Sequence, residues 1–429
     1  MREMKDSGVE WIGTIPTNWE LNKIGTLYDE RSTKVNDSEY PPLSVTKQGI
    51  VPQLETAAKT DNGDNRKLIK KNDFVINSRS DRRGSCGISE YEGSCSLINT
   101  VLRPRKNMCN TYYGYVFRSE LFADEFYRWG NGIVDDLWST KWSNMKRIYI
   151  PSPTLDEQKR IADYLDEKCY KIDAIIEKQQ TVIKKLNAYK VSVITEAVTK
   201  GLDPDVEMKD SEIPWVGSIN AAYDLAKIGT FCFVTKLAGF EYTDTIVQNI
   251  SNDAEVPIVR AQNIRMHWFN DEINEFIPMD VSEKLSRSAL DKKCLLITFI
   301  GAGIGDVCIF DKSTRYHLAP NVAKIAIRDE FKETIDEEYL MYYLSSYAGK
   351  GEINKISKAS AQPSLSMGSI RGIRFVLPTK DIQIMIASIL NEKCNKINKN
   401  IENRQKIIEK LVTYKKSLIY EVVTGKKEI

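Results

Sequence analysis

"PTLDEQKRIADYLDEKCYKIDAIIEKQQTVIKKLNAYKVSVITEAVT" occupies residues 153–199, and "PTKDIQIMIASILNEKCNKINKNIENRQKIIEKLVTYKKSLIYEVVT" occupies 378–424. The two align with an offset of 225 and share 25 of 47 positions. Beyond the opening proline neither contains Pro or Gly, and both are rich in Lys, Glu, Leu and Ile, which favours helix. Asp156 and Asp381 suit a first turn or cap. Apolar residues recur at spacings of 3, 4 or 7: Ile161, Leu165, Ile172, Ile175, Val182, Leu186, Tyr189 and Val193 in the first copy, and Ile386, Leu390, Ile397, Ile407, Leu411, Tyr414 and Leu418 in the second. Such spacing predicts a coiled-coil seam. Ile161, Leu165, Ile172, Leu186 and Tyr189 are expected to meet Ile386, Leu390, Ile397, Leu411 and Tyr414. Helices of this length reach about 65 Å at 1.5 Å per residue. So narrow a stripe needs a partner, and the other copy supplies one. Lys168, Gln179 and Arg404 interrupt the stripe and are expected to fix register.

A second repeat precedes each helix. "MKDSGVEWIGTIPTNWELNKIGTL" begins at Met4 and "MKDSEIPWVGSINAAYDLAKIGTF" at Met208, with 12 of 24 positions identical. The shared residues include Trp11 and Trp215, Gly13 and Gly217, and both Lys-Ile-Gly-Thr runs. The turn-rich "KGLDPDVEMKDS" joins the first helix to the second opening. The order is therefore opening, globular region, helix, and the same again. Residues 40–150 and 242–377 mix strand-like runs ("DFVIN", "CLLITFI", "GIRFVLP") with helical pieces ("DEEYLMYYLSSY") and align only in islands. The frame is shared and the interiors are not.

Composition narrows the class. A chain of 429 residues suggests two to four domains. No run of 18 apolar residues predicts a membrane span, and "MREMKDSGVEW" does not read as a secretory signal. Eight cysteines without a C-x-x-C pair and two histidines are poor material for a zinc site or disulfide framework, so a reducing cytoplasm is expected. With a net charge of +2, any basic surface must be local.

No catalytic constellation emerges. "FIGAGIGDV" at 299–307 has G-x-G-x-G spacing and is followed by a strand-like run, so it reads as a glycine hairpin rather than a dinucleotide loop. "PDVEMK" at 204–209 sets its carboxylates too close together in a linker to be a metal nuclease motif. No G-x-x-x-x-G-K-[ST] is present. "YPPL" at 40–43 lacks the Asn and aromatic residue of an adenine methylase tetrad. Nucleic-acid contacts have better candidates: "NRKLIKK" (65–71), "NSRSDRRGS" (77–85), "RPRK" (103–106), "RAQNIR" (260–265) and "SKASAQPS" (357–364). Arg and Lys neutralise phosphates, Arg reads guanine edges, and Gln or Asn reads adenine edges. A solvated surface also accounts for any one of these loops. The candidates are Lys47, Gln48, Lys70, Lys71, Arg79, Arg82, Arg83, Arg260, Gln262, Asn263, Arg265, Lys358 and Gln362.

Over its whole length the chain resembles the DNA-specificity subunits of type I restriction–modification enzymes. The resemblance rests on "SGVEWIGTIPTNWE" at 7–20 and on two apolar-Pro exits into a helix, "IYIPSPTLDEQKRIADYLDEKCYKID" and "IRFVLPTKDIQIMIASILNEKCNKIN". Each carries Gln-x-x-Ile-Ala-x-x-Leu after the proline. The second copy departs with Ile382 in place of Glu157, and with Asn220 and Tyr223 in place of Pro16 and Trp19. The resemblance implies an α+β chain: two mixed α/β target-recognition domains joined by two conserved helices packed as an antiparallel coiled coil, related by a pseudo-two-fold axis. The corresponding boundaries are domain 1 at 1–152, first helix at 153–201, domain 2 at 202–377 and second helix at 378–429. It implies a non-catalytic subunit that binds double-stranded DNA at a bipartite, asymmetric target. Methyltransferase subunits, two being expected, would supply S-adenosylmethionine chemistry, and motor-nuclease subunits bound through them would use ATP and Mg2+. Two other readings stay open: a coiled-coil interaction scaffold, and an enzyme whose motif is not evident.

Overall fold

Each half of the chain builds the same four-stranded antiparallel sheet. The computed structural model describes residues 2–53, 63–132, 138–357 and 364–429, which fall into two compact units. Unit 1 is Met1–Gln180 with Gln405–Ile429, and unit 2 is Thr181–Arg404. In unit 1 the strand order is Cys86–Ile88, Phe74–Asn77, Asn99–Pro104, Tyr28–Glu30; in unit 2 it is Val307–Phe310, Cys294–Thr298, Val322–Ile327, Cys232–Lys236. The second strand of each is almost wholly buried ("FVIN", "CLLIT"), as a strand covered on both faces must be. A helix pair follows in each unit, Asn110–Arg118 with Glu120–Arg128 and Glu337–Ser345 with Tyr347–Ser357. A strand then returns to the module opening: Tyr149–Ser152 pairs with Glu20–Lys23, and Arg374–Leu377 with Asp224–Lys227.

The repeated opening is explained by two backbone demands. Met4–Asp6 pairs with Thr14–Pro16, and Met208–Asp210 with Ser218–Asn220. Gly13 and Gly217 sit in these turns at φ +68° and +69°, where L side chains are strained. In the Lys-Ile-Gly-Thr runs, a Cβ on Gly25 would lie 3.0 Å from the Lys146 carbonyl oxygen and one on Gly229 3.0 Å from that of Arg371. Both glycines permit a close backbone approach.

Long helices span Leu155–Lys200 and Lys380–Val423. Within unit 1, Ile161, Leu165 and Ile172 of the first helix share a core with Leu418, Val422 and Val423 of the second. Within unit 2, Ile194, Ala197 and Val198 share one with Ile386, Ala387, Leu390 and Cys394. The start of one helix thus packs on the end of the other, which is antiparallel pairing. Equivalent bonds tie each helix pair to its domain. Tyr112 Oη donates to the Val423 carbonyl (2.9 Å), and Tyr339 Oη to that of Val198 (3.1 Å). Gln158 Nε2 donates to the Pro153 carbonyl and Gln383 Nε2 to that of Pro378, each at 2.8 Å.

The departures of the second copy compensate one another. Trp19 Nε1 donates to Glu157 Oε2 (3.0 Å) in unit 1. In unit 2 both members change, to Tyr223 and Ile382, which join the apolar core and its margin. Asn220, in the place of Pro16, donates from Nδ2 to the Lys200 carbonyl (3.2 Å) at the end of the helix.

The helix seam lies one residue beyond the position expected at several points. Ile161, Leu165, Ile172, Ile386, Leu390 and Ile397 are buried, and Leu186 and Leu411 half-buried. Tyr189 and Tyr414, however, are 59% and 50% exposed, and Ile175 and Ile407 are exposed as well. The inward positions are Ile176, Ile183, Lys190, Ile408 and Lys415. The cause is chemical. A lysine can lay its methylenes in the seam and place its ammonium at the edge, while a tyrosine presents its ring to solvent at modest cost. Apolarity along the sequence therefore pointed to the wrong neighbour.

Candidate nucleic-acid interface

Strand Phe74–Asn77 sorts the basic candidates of unit 1. Lys70 and Lys71 lie in the turn that enters it, exposed; Arg79, Arg82 and Arg83 lie in the loop that leaves it. Four residues of strand separate them, about 13 Å at 3.3 Å per residue. The two groups are therefore not one patch. Lys47 and Gln48 form the exposed tip of the hairpin Leu43–Thr46/Gly49–Pro52. Arg118 Nη2 donates to both their carbonyls at 3.4 Å. Lys47 and Arg83 share a pocket with Arg118 and Lys416. Arg83 is paired with Asp124, and Lys416 with Glu120 at 2.5 Å. Arg79 and Arg82 approach Asp81 at 3.4 and 3.5 Å.

The loop after the central strand is zipped to a distant segment. The Thr140 N–H donates to the Ser78 carbonyl (2.9 Å), and the Ser80 N–H to that of Trp138 (3.1 Å). Arg79 and Ser139 form an isolated bridge. This brings Lys141, Trp142 and Lys146 beside Arg79, where they line an open groove with Lys67. The sequence reading did not single out these residues. The interleaved "KWSNMKR" at 141–147 is the signal that could have found them.

Unit 2 has the same zip with other chemistry. The Leu365 N–H donates to the Phe299 carbonyl (2.9 Å), and Ile300 bridges Ser364. Its loop is the glycine-rich 299–305, which joins strands Cys294–Thr298 and Val307–Phe310 as a hairpin. Positions equivalent to Arg79, Lys141 and Lys146 hold Ile300, Ser366 and Arg371. One base-reading candidate requires correction. Asn263 is 1% exposed; its Nδ2 donates to the Asn270 and Glu272 carbonyls (3.0 and 3.1 Å), and its Oδ1 accepts from the Arg260 N–H (2.9 Å). It is a loop brace. Arg260 is held by Glu275 (Nε to Oε2, 2.8 Å) and by Tyr242 Oη (2.9 Å). Gln262 and Arg265 remain exposed. Next to Arg265, His267 takes φ +67°, its ring 5.0 Å from that of Tyr342. Burial, with Lys190 and Lys350 nearby, pushes its pKa down to about 4. Lys358 and Gln362 lie outside the described residues.

Two copies of one α+β module, each joined to a long helix and carrying a different loop on the same sheet, define a paired recognition protein. The family described as "Type I restriction modification DNA specificity domain" matches residues 16–185 and again 240–410. The chain belongs to this family and carries its domain twice; its function is to set the DNA sequence at which a type I enzyme acts. It is 23% identical over 431 residues to the type I restriction enzyme MjaVIII specificity subunit of Methanocaldococcus jannaschii, covering 96% of this chain and 93% of that one. It is 24% identical over 327 residues to the StySPI specificity subunit of Salmonella potsdam, covering 72% of this chain and 65% of the relative. A chain from a solved type I R-M system superposes with a TM-score of 0.71 at 11% identity, over 96% of this chain and 99% of that one. At that identity the likeness concerns the fold.

Proposed function

We propose that the chain recognises a bipartite, asymmetric DNA target, each unit reading one part. One observation carries this reading. The same backbone zip holds Arg79 beside Ser139 in unit 1 and Ile300 beside Ser364 in unit 2. A shared frame with unlike contact chemistry suits two unlike half-targets, whereas identical loops would suit a palindrome. In this proposal the chain performs no chemistry. Two methyltransferase subunits bring S-adenosylmethionine, and motor-nuclease subunits joined through them bring ATP and Mg2+, in the cytoplasm.

The test is an exchange. Residues 40–150 are replaced by the same region of a relative, and adenine methylation is mapped across a genome with the partner subunits present. One half of the methylated motif should change and the other should stay. A motif altered in both halves, or one that is continuous or palindromic, sinks the proposal.

A further inference from the structure

We propose that the open groove of unit 1 lined by Lys67, Arg79, Lys141, Trp142 and Lys146 holds one phosphodiester strand of duplex DNA, with Lys141 and Lys146 as its phosphate contacts. The inference rests on the DNA-reading function above and adds where the backbone lies.

The groove is built for an anion. It has a volume of about 660 Å³, and its walls carry four cationic side chains against one carboxylate, Glu30. That carboxylate is already engaged by Lys67 at 3.3 Å. Ser78, Thr100, Ser139 and Ser143 add hydroxyls to the lining. Lys141 and Lys146 are exposed, and neither ammonium has an ion pair or hydrogen bond among the described residues. Their backbones are nonetheless fixed. The Gly25 N–H donates to the Lys146 carbonyl (2.9 Å), and the close approach allowed by Gly25 seats that residue. Ahead of Lys141, the buried Thr140 Oγ1 donates to the Phe126 carbonyl (2.7 Å). Free charges on a fixed frame lose little entropy on binding.

The competing basic pocket is less suited. Each site has two paired cations, Lys67 with Glu30 and Arg79 with Asp81 in the groove, and Arg83 with Asp124 and Lys416 with Glu120 in the pocket. In the pocket a third, Arg118, is spent on the Lys47 and Gln48 carbonyls, whereas the groove keeps both Lys141 and Lys146. Unit 2 keeps only part of this charge: Ile300 and Ser366 replace Arg79 and Lys141, while Arg371 stands in the place of Lys146. The paired lysine contact is therefore a feature of unit 1.

The test uses the full-length chain, one duplex bearing its target and one without it, at 50–200 mM salt. The double variant Lys141→Gln with Lys146→Gln should bind both duplexes more weakly, by roughly eightfold per contact at 0.1 M salt. Its salt slope should fall by about 2, with the ratio between the duplexes unchanged. Lys184→Gln with Lys185→Gln removes the same net charge from a long helix and should leave the slope alone. An unchanged thermal midpoint shows that each variant folds. If the wild type binds and the groove variant keeps its affinity and slope, the groove assignment is wrong and the DNA-reading function stands. Loss confined to the target duplex makes the lysines base readers and overturns the phosphate assignment. A wild-type chain with no salt-dependent binding to either duplex overturns both readings.

Discussion

Lys190 Nζ donates to Asn398 Oδ1 at 2.9 Å, and 225 residues further on Lys415 Nζ donates to Asp173 at 2.7 and 2.6 Å. Asp173 and Asn398 are themselves 225 apart, so one contact occurs once in each unit, ionic in unit 1 and neutral in unit 2. Burial lowers the Lys190 pKa, the sign of an ammonium without a full counter-charge. Replacing Asn398 with Asp should stabilise unit 2 by about 0.5–1 kcal/mol, less in high salt. A lower urea midpoint for Asn398→Asp contradicts this account.

The seam makes a sharp contrast between adjacent residues. Ile408 is 8% exposed and Ile407 42%. Ile408→Asp should cost about 2–4 kcal/mol through a buried, unpaired carboxylate, and Ile407→Asp no more than about 0.5 kcal/mol. Denaturant titration of the two variants checks the helix phase; equal losses return the seam to the register expected from apolarity.

Gly25 and Gly372 separate close approach from helix propensity. A Cβ on Gly25 meets Lys146 Cβ at 2.9 Å, while nothing lies within 4 Å of one on Gly372. Gly25→Ala should lower stability by about 1–3 kcal/mol. Gly372→Ala, at a helix end, should be neutral or slightly stabilising. Thermal melts that rank them the other way would show that the helical turn Ile24–Leu27 can shift away from Lys146.

His267 sets an acid limit for unit 2. Its folded pKa of about 4 lies below the ordinary 6.5, so the unfolded chain binds the proton first as pH falls. The neutral ring's contribution is complete above pH 6.5 and is lost as pH falls through about 4, at no more than about 1.4 kcal/mol per pH unit. His267→Asn keeps a residue tolerant of positive φ and should flatten part of this slope. Buried His317, whose pKa is also lowered by burial, retains the rest. Identical pH–stability curves for variant and wild type between pH 6.5 and 4 count against the assignment.

The helices and the repeat were legible because helix formation and coiled-coil spacing are local. The strands at "DFVIN" and "CLLITFI" were legible as short apolar runs. Helix phase was harder: Lys190 and Lys415 bury methylenes beneath a charge, which a hydrophobicity pattern cannot register. The interface was only partly legible. Arg79 and Lys141 meet through backbone bonds across 62 residues of chain, a relation that no window contains. Asn263 has the right chemistry for adenine but spends it on the Asn270 and Glu272 carbonyls.

Unit 1 is discontinuous, joining residues 1–180 to 405–429, while unit 2 is one uninterrupted stretch. Leu418, Val422 and Val423 lie in the core of unit 1. During synthesis, then, the module made earlier waits for residues 405–429, which follow the second module, and the second module can fold before it. Domains usually fold in the order in which they are made; a first core completed only by Leu418, Val422 and Val423 favours the reverse order. Translation that stops after Arg404 leaves unit 2 whole and the first-made half with an apolar core open to chaperones and proteases.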